Sequence, residues 1–162
     1  MPTPTYTLID SVTLASSASS VTFSSISAAG KGDLVLVCDV IGTAASQASF
    51  RVNSDSGSNY NNVEMSAVDS VSSGAGSNNT SGLVDYNATS IWTARTSFTL
   101  QALDFSATDK HKSFLFRGNN THRPSVNASA LRWASTSAIT SLTFYGSFAA
   151  TSTFHLYQIV SE

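Results

Sequence analysis

The stretch Asp33-Leu34-Val35-Leu36-Val37-Cys38-Asp39-Val40-Ile41 decides the fold. It is apolar at both odd and even positions, as a β-strand is when both of its faces are covered. Gly30-Lys31-Gly32 ahead of it reads as a turn. The stretch therefore predicts a central strand in a layered β structure.

Working outward, the same two-residue period recurs along the chain. Towards the N-terminus, Tyr6, Leu8, Val12 and Leu14 share one parity, and the Ser-rich turn 16–20 leads into Val21 and Phe23. Towards the C-terminus, Phe50 and Val52 alternate with Ser49, Arg51 and Asn53. The segment 54–59 is a turn, and 60–71 is a longer, weaker strand carrying Val63, Met65 and Val68. The segment 72–82 has Gly74, Gly76, Asn78 and Asn79 but no large apolar residue, so it reads as a long exposed loop. Segments 83–86 and 90–94 form a short pair around Ile91 and Trp92, and Phe98, Leu100 and Ala102 alternate cleanly. A charged turn, 109–112, precedes Phe114 and Phe116, and 118–124 is a second exposed loop. Leu131 with Trp133, Leu142 with Phe144, and Phe154 with Leu156 complete the series.

Helix signals are nearly absent. The expected fold is all-β: an antiparallel β-sandwich, jelly-roll-like, of about ten short strands. Residues 1–5, with two prolines, form an extended N-terminal arm, and 6–162 form one domain.

Composition narrows the function. Of 162 residues, 41% are hydrophobic, enough for a core, but only 11% are charged. A surface of hydroxyls and amides suits an assembly of identical copies, which like charges would push apart. Net charge is −2 with eight Lys and Arg and no basic run, so neither nucleic acid nor a membrane surface finds its usual electrostatic footprint. Cys38 is the only cysteine, which excludes an intrachain disulfide. No basic and apolar leader opens the chain, and no apolar run approaches the ~18 residues of a membrane span.

No catalytic or metal-binding apparatus emerges. His111, His122 and His155 lack Cys, Asp or Glu at metal-ligand spacing. The acids Asp10, Asp33, Asp39, Glu64, Asp69, Asp85, Asp104 and Asp109 are scattered rather than paired. The segment 53–59 resembles a calcium loop only faintly, with one acid and no closing Glu, and reads as an Asx-stabilised turn. Tyr60, Trp92, Trp133 and Tyr145 are candidates for a sugar-stacking platform, with Trp133 favoured as core. No cofactor is expected, and the chain is expected not to be an enzyme.

Several ordered blocks resemble a family of small β-rich virion proteins of tailed bacteriophages. They are Tyr6-Thr7-Leu8-Ile9-Asp10-Ser11-Val12-Thr13-Leu14, then Ser19-Ser20-Val21-Thr22-Phe23-Ser24-Ser25-Ile26, and Arg51-Val52-Asn53-Ser54-Asp55-Ser56-Gly57-Ser58-Asn59-Tyr60. Segments 133–144 and 152–159 fit as well, while the chain departs from the family between Asn79 and His122. The resemblance implies a capsid decoration, or cement, protein on the virion surface. Such a protein is made in the host cytoplasm, forms homotrimers and bridges major capsid proteins. A tail-fibre or adhesion module binding host glycan is the alternative. Asn119, Asn120, His122 and Arg123 in the second loop are the expected interface residues.

Overall fold

The structure, a computed structural model, describes residues 5–29, 32–67, 71–84, 91–121 and 125–159. The described residues form an all-β, antiparallel, two-sheet structure with twelve strands and no helix. In chain order they are β1 (Tyr6–Thr13), β2 (Ala18–Phe23), β3 (Asp33–Ile41), β4 (Ser49–Val52), β5 (Tyr60–Ala67) and β6 (Val71–Asn79). Next come β7 (Gly82–Leu83), β8 (Arg95–Ala102), β9 (Lys112–Asn120), β10 (Ser125–Trp133), β11 (Leu142–Phe148) and β12 (Thr153–Ile159).

The large sheet has eight strands in the order β1-β12-β3-β8-β9-β10-β5-β6, and the small one has four in the order β2-β11-β4-β7. Eight strands pair in a nested way: β1 with β12, β2 with β11, β3 with β8, and β4 with β7. A single long hairpin wrapped into two layers would pair this way. The other four strands are two hairpins, β5–β6 and β9–β10, which extend the large sheet beyond β8.

The core lies between the sheets. From the large sheet come Leu34, Leu36, Cys38, Val40, Phe98, Leu100, Phe114, Phe116, Leu131, Trp133, Phe154 and Leu156. Val21, Phe23, Phe50, Val52, Leu142 and Phe144 meet them from the small one. Aromatic rings close the seam: Phe98 stacks on Phe144 at 5.1 Å, and Phe50 lies 4.8 Å from Phe114. Lys112 ends the charged turn and is fully buried, its ammonium donating to the carbonyls of Ala107 (2.6 Å), Lys110 (3.3 Å) and Thr136 (3.4 Å).

The sequence expectations need several corrections. Only one face of β3 is covered: Leu34, Leu36, Cys38 and Val40 are buried, whereas Val37 faces outward and is exposed. The segment 72–82 is not a loop: most of it is β6, held against β5 by the ladder and by the Ser66–Ser72 hydroxyl pair at 2.7 Å. Small residues suffice there because β6 ends the sheet. Likewise β9 continues through Gly118 and Asn119 to Asn120. The common parity of Tyr6, Leu8 and Val12 is broken by a bulge between Leu8 and Asp10. Ile9, Val12 and Leu14 pack on the core, while Tyr6 and Leu8 point into solvent. The short pair around Ile91 is instead a two-residue strand, β7, beside β4, plus a lone bridge from Ile91 to Ser46. Residues 1–4 of the arm, Val68 and 85–90 lie outside the described residues.

Candidate functional site

The groups that carry chemistry elsewhere are occupied structurally here. Asn53 (φ 51°) and Ser54 (φ 59°) are the two left-handed residues of a tight turn closed by the Asp55 amide donating to the Val52 carbonyl. Asp55 then accepts from the Gly57 amide (2.8 Å), the Asn59 amide group (2.8 Å) and the Trp133 indole (2.6 Å). This is an Asx-stabilised turn, as its sequence suggests. Asp39 pairs with Arg95 at 2.6 Å, Asp104 pairs with Lys110, and Asp33 accepts from Gln101 and the Asp104 amide. The His155 ring shares a hydrogen bond with the Ser11 hydroxyl at 2.8 Å. Among the described residues no group of three or more His, Cys, Asp or Glu is placed to hold a metal.

The sugar-stacking platform is not assembled. Tyr60 and Trp133 are buried, and Tyr145 is half-buried beneath Arg51, whose guanidinium lies 5.5 Å from its ring. Burial pushes the Tyr60 hydroxyl up to about 12. That hydroxyl accepts from the Val52 amide and donates to the Asp55 carbonyl, bracing the same turn.

The exposed feature of the molecule is the outer face of the large sheet. Strand register fixes which side chains lie side by side across it, because directly paired residues share a face. One row runs Leu8, Tyr157, Val35, Gln101, Leu115, Ala130, Val63, Ala75. It crosses all eight strands with Gln101 as its single polar member, and Gln101 is engaged with Asp33. The next row runs Ser11, His155, Val37, Thr99, Arg117, Ala128, Met65, Ser73. A third carries Asp39, Ser97, Asn119, Val126, Ala67 and Val71.

The two hairpins hold most of the exposed apolar side chains. Val71 is 80% exposed, Met65 63%, Val126 60% and Val63 58%, with Leu115 beside them. Shallow hollows open there. One is lined by Met65, Ala67, Val71, Val126 and Ala128, the other by Val63, Ala75, Gly76, Ala130 and Arg132.

Of the expected interface residues, Asn119 lies on this face, in a hollow with Val37, Ser97, Thr99 and Arg117. Its side-chain oxygen accepts from the Ser97 amide at 3.3 Å, which ties β9 to β8. Asn120 pairs through its backbone with Thr96 and Ser125 at the end of β9. Both are strand residues, not loop residues. His122 and Arg123 lie outside the described residues. The apolar row is not legible in the sequence because its members come from eight separate strands. The signal that was present is the occurrence of Val63, Met65, Leu115 and Val126 on the parity opposite to the core residues of their own strands.

Compared with known proteins, the chain matches no family model, and no curated protein sequence matches it.

Proposed function

We propose that the chain is a structural protein of a tailed-phage virion. Its role is capsid decoration: a homotrimer that seats on the shell and stabilises it by bridging major capsid proteins. The observation that carries this reading is the outer face of the large sheet. The outward apolar side chains of the two hairpins lie on the side of the sheet away from the core, and contiguous exposed apolar surfaces of this kind are a common mark of protein contacts. The low charge fraction fits crowding among copies.

Topology adds support by analogy. Without β5–β6 and β9–β10, the nested pairing of the remaining strands supports a jelly-roll-like reading. That architecture recurs in viral capsid and lectin domains, and fold alone assigns no function. A decoration protein needs no single strong contact. Interfaces on the order of 1,000 Å², repeated over a shell, add up. The tail-fibre or glycan-binding reading has less support, since two of its four candidate aromatics are in the core.

The test is reconstitution. Purified protein added to undecorated heads should bind at fixed stoichiometry and raise the temperature at which the heads release DNA. Localisation by electron microscopy to tails alone, or absence of head binding, overturns the proposal.

A further inference from the structure

We propose that the outer face of the two hairpins receives an acidic segment of the shell protein, its apolar side chains on Leu115, Ala130 and Val63 and a carboxylate on each of Arg117 and Arg132. The proposal rests on the capsid reading above and names the chemistry of the partner. Register assigns the outward positions of β5, β6, β9 and β10. Two of them are charged, Arg117 and Arg132, and none is acidic. The other charged residues of these four strands, Glu64 and Lys112, are buried on the inner side. A chain of net charge −2 thus presents only positive charge on this face.

Neither arginine is neutralised within the protein. Among the described residues the ion pairs are Arg95 with Asp39 and Lys110 with Asp104. Arg117 donates through Nε to the Thr99 hydroxyl at 3.1 Å, and Arg132 donates through Nη2 to the Asn61 side-chain oxygen at 3.2 Å. Those bonds hold both exposed side chains in place, Arg117 towards β8 and Arg132 towards β5, with further guanidinium N–H groups left for a partner. A partner that covered these cations without supplying acids would strip them of water uncompensated, which is costly. Carboxylates meet a guanidinium through paired hydrogen bonds.

Spacing points to a protein segment. Arg117 is in register with Ala128, so Arg132 lies four residues further along β10, roughly 13 Å away along the strand. Leu115, Ala130 and Val63 cross between them, with Leu115 50% and Val63 58% exposed. Each arginine also edges a hollow with apolar walls, Arg132 beside Val63 and Ala130, Arg117 beside Val37 and Val126. A nucleic acid brings phosphates but no aliphatic groups to cover Leu115 and Val63, whereas an acidic protein segment brings both. A second copy is poorly equipped for the role: Asp33, Asp39, Asp55 and Asp104 are engaged within their own chain, and Glu64 is buried.

The experiment measures co-sedimentation of the full chain with undecorated, DNA-free heads. Two double variants are compared with the native chain: Arg117→Gln with Arg132→Gln, and Arg117→Glu with Arg132→Glu. Both positions are exposed, so melting temperatures should not change. Affinity should fall in the order native, Gln, Glu, with the Glu pair about 100-fold weaker than native, and native binding should weaken as salt rises. Ser16→Glu with Ser17→Glu, in the exposed turn between β1 and β2, adds negative charge elsewhere and should leave binding intact. Equal binding by the native chain and the Glu variant overturns this inference and leaves the capsid role standing. Equal losses in the Gln and Glu variants overturn it too, because they would mean that the partner carries no acid there. Failure of the native chain to bind heads overturns the capsid role and this inference with it. Two further results overturn the inference alone: binding of duplex DNA with the same arginine dependence, or self-association that the Glu variant loses while it still binds heads.

Discussion

The indole of Trp133 donates to Asp55 across 2.6 Å, joining the end of β10 to the turn between β4 and β5. Trp133 is buried, so its N–H has to find a partner inside the protein, and Asp55 also accepts from Gly57 and Asn59. A turn far from Trp133 in sequence is thereby tied to the wall of the core.

Asp55→Asn should cost about 1–3 kcal/mol, because an amide keeps one acceptor and turns a donor towards another donor. Burial alone pushes the Asp55 carboxyl up, but the hydrogen bonds from Trp133, Asn59 and Gly57, with Arg51 nearby, outweigh it and hold the carboxyl below its ordinary value. A depressed carboxyl stabilises the fold above its unfolded value of about 3.9, and the contribution fades as pH falls through the lower folded value. The gap in melting temperature between native chain and variant should therefore be full at neutral pH and shrink below about pH 4. Trp133 fluorescence reports it. An equal gap at both pH values would show that the carboxylate charge is irrelevant.

Lys112 supplies a second expectation. Burial pushes its pKa down, and the three carbonyls it reaches are acceptors suited to an ammonium. Lys112→Met keeps the length and removes the donors, leaving those carbonyls short of a partner. The expected loss is about 1–3 kcal/mol in urea denaturation, with an unchanged slope. A neutral or stabilised variant would mean that the desolvation cost of the charge exceeds its hydrogen bonds.

Much of the architecture was legible because burial on one face writes a two-residue period into a strand. Phe98, Leu100 and Ala102, or Phe154 and Leu156, declare their inward faces at once. What misled were strands whose stabilisation comes from a neighbour rather than from their own side chains. The β6 segment carries mostly Ser, Gly, Ala and Asn, and only the ladder to β5 makes it a strand. The bulge at Ile9 was hidden for a related reason: one inserted residue flips parity without changing composition. Val35 and Val37 made β3 look doubly covered, although their apolar character belongs to the exposed outer face. Asn119 reads as a loop residue in the sequence, but the ladder places it in β9, on that outer face.

Gly82 tests how tightly the small sheet is packed. A Cβ placed there runs into the ring of Phe50, which is fully buried against Phe114 and Tyr60. The ring is packed against two other buried rings and would have to shift, so Gly82→Ala should cost about 1–3 kcal/mol. Because β7 contributes only Gly82 and Leu83, the variant should also loosen its pairing with β4. Faster hydrogen exchange at Phe50 and Ser49, with core amides of β3 unchanged below the global limit, is the expected signature.

Cys38 gives a probe of the whole core. It is paired in register with Phe154 on one side and Phe98 on the other, and it faces inward. Burial raises its thiol well above the ordinary range, so in the native state it is both shielded and almost wholly protonated. Reaction with a thiol reagent at neutral pH should then wait for opening of the β12–β3–β8 ladder. Its rate should rise with urea in step with global unfolding. Cys38→Ser places a hydroxyl among Phe98 and Phe154 and should cost about 1–3 kcal/mol, more than Cys38→Ala, which leaves only a small void. Fast labelling of the native chain without denaturant, or a serine variant as stable as the native chain, would show that these central strands open independently of the rest of the sandwich.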